Sequence, residues 1–137
     1  MIKEQKGWKD EKVAIAHAAY EAYVTKDRAA IERLIAEDFC FTSPLDNCID
    51  RATYFARCWP NSEWIEAFDY INLVPDGDRV FVTYEGKKND GKRFRNTEIL
   101  TIRDGQISDV EVYFGWSIPH KADAGGYLSD EETSSSR

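Results

Sequence analysis

The chain has 137 residues, 42% of them hydrophobic and 31% charged, which suits a single domain with a real core and excludes a wholly disordered polypeptide. Its formal net charge is −7, and −2 of that lies between Lys121 and Arg137, leaving −5 on the body. So acidic a body speaks against nucleic acid and anionic membrane as partners, because both need a basic face.

The first helix is predicted from about Trp8 to Thr25, where Val13, Ala16, Tyr20 and Tyr23 recur at helical spacing and Ile15, Ala19 and Ala22 widen the stripe. Asp27 suits the N-cap of a short second helix whose apolar face is Ile31, Leu34 and Ile35. From Asp38 to Thr42 aromatics replace alanine and the period shortens, so a strand is expected; Ser43-Pro44 ends it, since proline cannot donate to a ladder. Pro44 to Asn47 reads as a turn. Asp50 caps a third helix from Arg51 to about Trp59, with Tyr54, Phe55, Cys58 and Trp59 on one face and Pro60 as its stop. A strand over Trp64 to Val74 follows, then a loop from Pro75 to Asp78. Three more strands fall at about 79–88, 92–103 and 106–116. Beyond Pro119 the residues are small and polar, so the expected organisation is one domain over 1–119 and a flexible tail over 120–137. Strands that follow helices in runs imply an α+β fold, with the helices on one face of a largely antiparallel sheet.

The last three strands fix a side for one acid. Phe94, Asn96, Glu98, Leu100 and Ile102 form one face of their strand; Val110, Val112, Phe114 and Trp116 form the apolar face of the next; Val80, Val82 and Tyr84 form that of the preceding one. Three-residue loops with a left-handed glycine, at Asn89-Asp90-Gly91 and Arg103-Asp104-Gly105, would set even residues opposite even residues. Glu98 then lies on the apolar, concave side, where desolvation raises a carboxyl pKa and makes it a usable proton donor or acceptor.

No apolar run is long enough to span a bilayer. Met1 to Lys6 is charged, with no signal-like stretch behind it, so a cytoplasmic location is expected. Cys40, Cys48 and Cys58 are odd in number and lack Cys-x-x-Cys spacing; they read as buried small hydrophobes rather than as a disulfide or a metal site. His17 and His120 are far apart, which offers no histidine metal centre and no serine–histidine triad. Neither a metal nor a cofactor is expected.

Ile35-Ala36-Glu37-Asp38-Phe39 after two helices, a strand closing at Ser43-Pro44, a short helix with Tyr54-Phe55, and Asp104-Gly105-Gln106-Ile107 leading to Val112-Tyr113-Phe114 together resemble the nuclear transport factor 2-like superfamily. Within it the SnoaL-like and ketosteroid-isomerase-like group is the nearest. The resemblance covers roughly Trp8 to Trp116. It implies a cone-shaped α+β barrel, its curved antiparallel or mixed sheet wrapped around three N-terminal helices with an internal pocket, and a homodimer through the outer sheet face. It implies no single activity. The isomerase's base position falls here on Ser43, which cannot take a proton from carbon without a basic partner. Its oxyanion tyrosine falls on Ala19, one residue from Tyr20, and its oxyanion acid aligns with Glu98. The Asp–Arg–Asp relay of limonene epoxide hydrolases has no match.

The expected catalytic set is Glu98 and Asp46 for proton transfer, with Tyr20 or Tyr84 stabilising developing negative charge. Asp46 lies just past Ser43-Pro44, near the expected mouth, although a turn-forming role would also explain it. Ser43, Tyr23, Tyr54, Trp59, Val82, Asn96, Val110, Val112, Phe114 and Trp116 are expected to line the pocket. Two readings follow. One is a cofactor-free isomerase, cyclase or dehydratase acting on a small apolar or aromatic substrate. The other is a non-catalytic ligand-binding or dimerisation module.

Overall fold

The computed structural model of the protein describes residues 10–129. Its elements are α1 (Glu11–Thr25), α2 (Arg28–Leu34), β1 (Ile35–Ser43), β2 (Asp46–Ile49), α3 (Arg51–Arg57), a 3₁₀ segment (Trp59–Trp64), β3 (Ile65–Asp76), β4 (Arg79–Lys88), β5 (Arg93–Arg103) and β6 (Gln106–Ile118). Each α-helix starts on an aspartate that accepts from its orphan amides. Asp10 Oδ1 takes Lys12 N at 2.8 Å, Asp27 Oδ1 takes Ala30 N at 3.1 Å, and Asp50 Oδ1 takes Thr53 N at 2.9 Å. The expected start at Trp8 and the last eight residues of the expected tail lie outside the described residues; 121–129 hold no helix or strand.

The six strands run in the order β2-β1-β6-β5-β4-β3. β1 pairs with β6 in parallel and every other neighbour is antiparallel, so the sheet is mixed. Three helices pack on this curved sheet in the α+β cone expected from the sequence, and the sheet does not close, with β2 and β3 at its edges. Tyr20 and Ala16 of α1, Ile31 of α2 and Tyr54 and Phe55 of α3 meet Val80, Val82, Leu100 and Ile102 in one buried core.

Several boundaries differ from expectation, the first at Ile35, which is expected on the second helix but opens β1 three residues before Asp38. Asp46–Ile49 is a strand rather than turn, because Pro44-Leu45 alone reverses the chain and lets Phe41 pair with Ile49. Helix α3 stops at Arg57, and Trp59, expected at its end, opens the 3₁₀ segment with Pro60 in its first turn. Strand β3 runs on through Pro75-Asp76 to a two-residue turn at Gly77-Asp78, where Gly77 takes φ 65°. The β1–β2 hairpin also corrects the cysteine reading. Cys40 and Cys48 are joined by a disulfide, with Cα atoms 4.6 Å apart, and none of the three cysteines is fully buried.

The even-numbered register holds at the centre of the sheet. Glu98 stands opposite Val82 on β4 and Val112 on β6, Leu100 opposite Val80 and Val110, and Asn96 opposite Tyr84 and Phe114. Only one of the two turns is of the kind expected. The β4–β5 loop does hold Asn89-Asp90-Gly91, with Gly91 at φ 91° and Lys88 N bonded to Lys92 O. The β5–β6 loop is the two-residue Asp104-Gly105, both at positive φ, between the paired Arg103 and Gln106. Continued unchanged, that pairing would set Glu98 opposite Glu111. Instead β6 carries an extra residue at Ser108, between the pairs Ile102–Ile107 and Thr101–Asp109, and the bulge restores even against even. A second irregularity lies between Asn96–Phe114 and Phe94–Ser117. There Gly115 lies so close to β5 that a Cβ would collide with the Arg95 carbonyl oxygen.

Candidate functional site

Helix α1, strand β1 and the concave side of β4, β5 and β6, with residues from α2, α3 and β3, line a partly open cavity of about 300 Å³. Its wall is mostly aliphatic and aromatic. Glu98 is the one acid on the central strand's inner face; it is half-buried and lines the cavity.

Both carboxyl oxygens are held. Tyr20 Oη, from α1, donates to Oε1 at 2.9 Å, and Tyr84 Oη, from β4, donates to Oε2 at 2.6 Å. Burial pushes the Glu98 carboxyl above its ordinary value, and the hydrogen bonds from Tyr84 and Tyr20 pull it part of the way back. The same burial, reinforced by the neighbouring Glu98 charge, raises both phenols well above the usual tyrosine range, so they stay protonated donors. Asn96, itself buried, donates from Nδ2 to Tyr84 Oη at 3.3 Å, and its Oδ1 accepts the Gly115 N–H at 3.2 Å. The β6 irregularity at Gly115 thus aims the amide that orients Tyr84.

This network can take up a proton without breaking. A proton on Oε2 would donate to Tyr84 Oη, which can accept from both Glu98 and Asn96; the phenol hydrogen then turns toward the cavity. The site can therefore present either a doubly stabilised carboxylate or a phenol donor backed by a neutral acid.

A second cluster sits on the same cavity. Ser43 Oγ donates to Asp46 Oδ2 at 3.0 Å, and Arg57 Nε donates to Asp46 Oδ1 at 2.8 Å. Both oxygens of Asp46 are thus engaged within the chain, and Ser43 Oγ also accepts the Leu45 N–H at 3.0 Å. Tyr23 and Tyr54 share a short hydroxyl–hydroxyl bond, and burial raises both phenols.

Of the residues singled out in the sequence, Glu98, Asp46, Tyr20, Tyr84, Ser43, Tyr23, Tyr54, Asn96, Val110, Val112 and Phe114 all face this cavity. Three do not. Val82 is fully buried beneath the wall. Trp59 packs edge-on against Tyr23 and Phe55 behind the lining, because the 3₁₀ segment carries it off the α3 face. Trp116 is 50% exposed beside His120, since the irregularity at Gly115 breaks the alternation that would have brought it inside. Phe68, Phe41 and Cys58 line the cavity although the sequence did not single them out. Phe68 stacks edge-on against Tyr20 and Tyr84 at 5.2 and 4.9 Å, and its alternation with Tyr70 on β3 was the available signal. Burial pushes the Cys58 thiol up to about 11, so it is an apolar wall rather than a nucleophile. Among the described residues, no three His, Cys, Asp or Glu side chains are grouped so as to hold a metal ion, and no helix is long and apolar enough to cross a membrane.

The profile of the SnoaL-like domain matches residues 16–110, more than half of the chain. Among curated proteins none matches by sequence. Many solved structures share the fold. A candidate ketosteroid isomerase from Kribbella flavida is 20% identical, with a TM-score of 0.67 over 93% of this chain and 89% of that one. An epoxide hydrolase of the limonene-epoxide-hydrolase-like type from M. tuberculosis is 15% identical, with a TM-score of 0.66 over 77% and 83%. A candidate polyketide cyclase from Streptomyces antibioticus is 19% identical, with a TM-score of 0.63 over 75% and 91%. At these identities the likeness is one of fold.

Proposed function

Because the chain belongs to the SnoaL-like family, we propose that its cavity binds the apolar or aromatic body of a small molecule with a polar oxygen placed near Glu98, and that Glu98 performs cofactor-free acid–base chemistry on it, of the isomerase, cyclase or dehydratase kind. One observation carries the reading: both oxygens of a carboxyl in an apolar cavity are held by tyrosine hydroxyls. A 150 Å³ apolar cavity takes one benzene ring, so a space of about 300 Å³ fits a compound of about two fused rings. Glu98 would move the proton. Tyr84, backed by Asn96, would stabilise charge on the substrate oxygen, while Tyr20 keeps hold of Oε1.

The test uses 2-tetralone, a bicyclic ketone with exchangeable α-protons. Deuterium uptake in D₂O is followed by NMR with wild type, Glu98→Gln and buffer alone. Uptake above buffer that falls by about 10²-fold or more in Glu98→Gln is expected for a general acid–base residue. Equal rates in both proteins would remove Glu98 from the chemistry. A second reading, non-catalytic ligand binding, is favoured by the Asp46 cluster, where serine and arginine occupy the carboxylate expected to share proton transfer. It predicts a ligand-dependent rise in Tm with no exchange above buffer. A homodimer through the convex sheet face belongs to the same proposal; a cytoplasmic setting does not, because the Cys40–Cys48 disulfide suits an oxidising one. Sedimentation of the purified chain tests the dimer.

A further inference from the structure

A second hollow of about 550 Å³ adjoins the cavity, with Lys88, Phe94 and Asn96 contributing to both. Its remaining wall comes from Lys92 just before β5, from Arg93 at its start, from Gly115 to Ile118 of β6, and from Pro119 to Lys121 and Leu128 beyond it. The charge is the informative feature. On a body of net −5 this hollow is lined by three lysines and an arginine and by no aspartate or glutamate. Arg93 is neutralised by Glu85, 2.6 Å away. Lys88, Lys92 and Lys121 have no ion-pair partner among the described residues, and the Lys88 ammonium stands 5.8 Å from the centre of the Phe94 ring. Three lysines without an ion-pair partner among the described residues line one concave space and so raise the local concentration of anions. Trp116 and Phe94 supply apolar walls, so the space fits an anionic group borne on an organic body rather than a bare inorganic ion.

We propose that this hollow is an anion subsite of the same binding site, and that the natural ligand is an amphipathic organic anion with its apolar body in the Glu98 cavity and its phosphate or carboxylate among Lys88, Lys92 and Lys121. This rests on the cavity being a ligand site, and it adds the charge of the ligand, which Glu98 alone does not indicate. It also assigns Trp116, turned out of the cavity by the irregularity at Gly115, a place beside the anion.

Two fluorescent probes of nearly the same apolar body test it: 8-anilino-1-naphthalenesulfonate, which is anionic, and N-phenyl-1-naphthylamine, which is neutral. The full chain is titrated with each at low salt and in 0.5 M NaCl. The anion is expected to bind more tightly, by about tenfold at low salt, with the advantage lost at high salt. In Lys92→Ala/Lys121→Ala the advantage should shrink three- to tenfold while the neutral probe binds as before. Equal affinities for the two probes, or an advantage that survives the double substitution, overturn the anion subsite while leaving the cavity intact. Failure of both probes to bind overturns the cavity reading and this proposal together. Displacement by 1-naphthyl phosphate or by 1-naphthoate distinguishes a phosphate ester from a carboxylic acid, and displacement by neither overturns the proposal. The sequence after Leu128 runs Ser129-Asp130-Glu131-Glu132. Neutralising these acids as Asp130→Asn/Glu131→Gln/Glu132→Gln should leave the anionic probe's affinity unchanged. A rise of tenfold would make the chain's own tail the occupant and overturn the proposal.

Discussion

Replacing Glu98 by glutamine should change how stability depends on pH, and the direction follows from the site. Burial lifts the folded-state pKa of Glu98 above the ordinary 4.5, and the bonds from Tyr84 and Tyr20 only partly oppose it. Each hydrogen bond to a charged group is worth about 1.5–3 kcal/mol, so the cost of desolvation must exceed the differential worth of both. A carboxyl raised on folding binds protons more readily in the native state than in the unfolded chain. Its contribution is therefore fully present below pH 4.5 and is lost as pH rises through the folded-state value, at about 1.4 kcal/mol for each pH unit that separates the folded from the unfolded pKa. Glutamine has the size of the protonated acid and does not titrate. Its oxygen can accept from Tyr84 while its amide donates to Tyr20. Urea unfolding of wild type and Glu98→Gln at pH 4, 6 and 8 measures the effect. The two should differ by less than about 1 kcal/mol at pH 4, and the balance should move toward the variant as pH rises. Taking the difference between the proteins cancels carboxylates of the opposite kind, such as the capping Asp50, whose pKa is lowered. Tyr84→Phe removes a bond that favours the charged form and should steepen the wild-type fall over the same window. A wild-type-minus-variant difference that stays constant from pH 4 to 8 would refute the claim that the cavity penalises charge at position 98.

Two further substitutions test the scaffold. Gly115→Ala drives a methyl into the Arg95 carbonyl oxygen, a backbone atom with no rotamer to yield. It should cost about 3 kcal/mol or more by chemical denaturation, at the top of the range for overpacking, and a loss under about 0.5 kcal/mol would contradict the close strand approach. Replacing both Cys40 and Cys48 by serine opens a loop of eight residues' separation. Chain entropy assigns that about 2.5 kcal/mol, read as a lower urea midpoint under oxidising conditions and no difference from wild type in excess reductant.

Helix starts were legible in the sequence because they are local: Asp27 and Asp50 stand one residue before their helices and cap them by short-range bonds. The side taken by Glu98 was legible for a different reason. Burying Val80, Leu100, Val110 and Val112 together permits one parity only, whatever turn delivers it. The turn itself misleads. Asp104-Gly105 makes the two-residue hairpin that by itself would misalign the strands, and Ser108, an ordinary polar residue in the sequence, absorbs the error. Trp116 escapes the pattern for the mirror-image reason: alternation carries one residue too far, across Gly115, where strand contact rather than period decides. The disulfide was hidden because β2 holds only Asp46–Ile49 and carries turn-forming residues, so nothing in the spacing announced a hairpin that would bring Cys48 to Cys40.

The network around Glu98 bears on which of the two functional readings is stronger. A purely structural acid in an apolar wall would be better replaced by a hydrophobe, since exchanging buried polar groups for well-packed apolar ones is often neutral or stabilising. Here two phenols, one from a helix and one from a neighbouring strand, converge on one carboxyl, and the Asn96 amide that orients Tyr84 is itself fixed by the irregularity at Gly115. Desolvation pushes the Glu98 pKa above the ordinary value while two phenols oppose it, the opposed environment in which proton-transfer groups are found. A passive wall has no use for such a balance, whereas proton transfer depends on it.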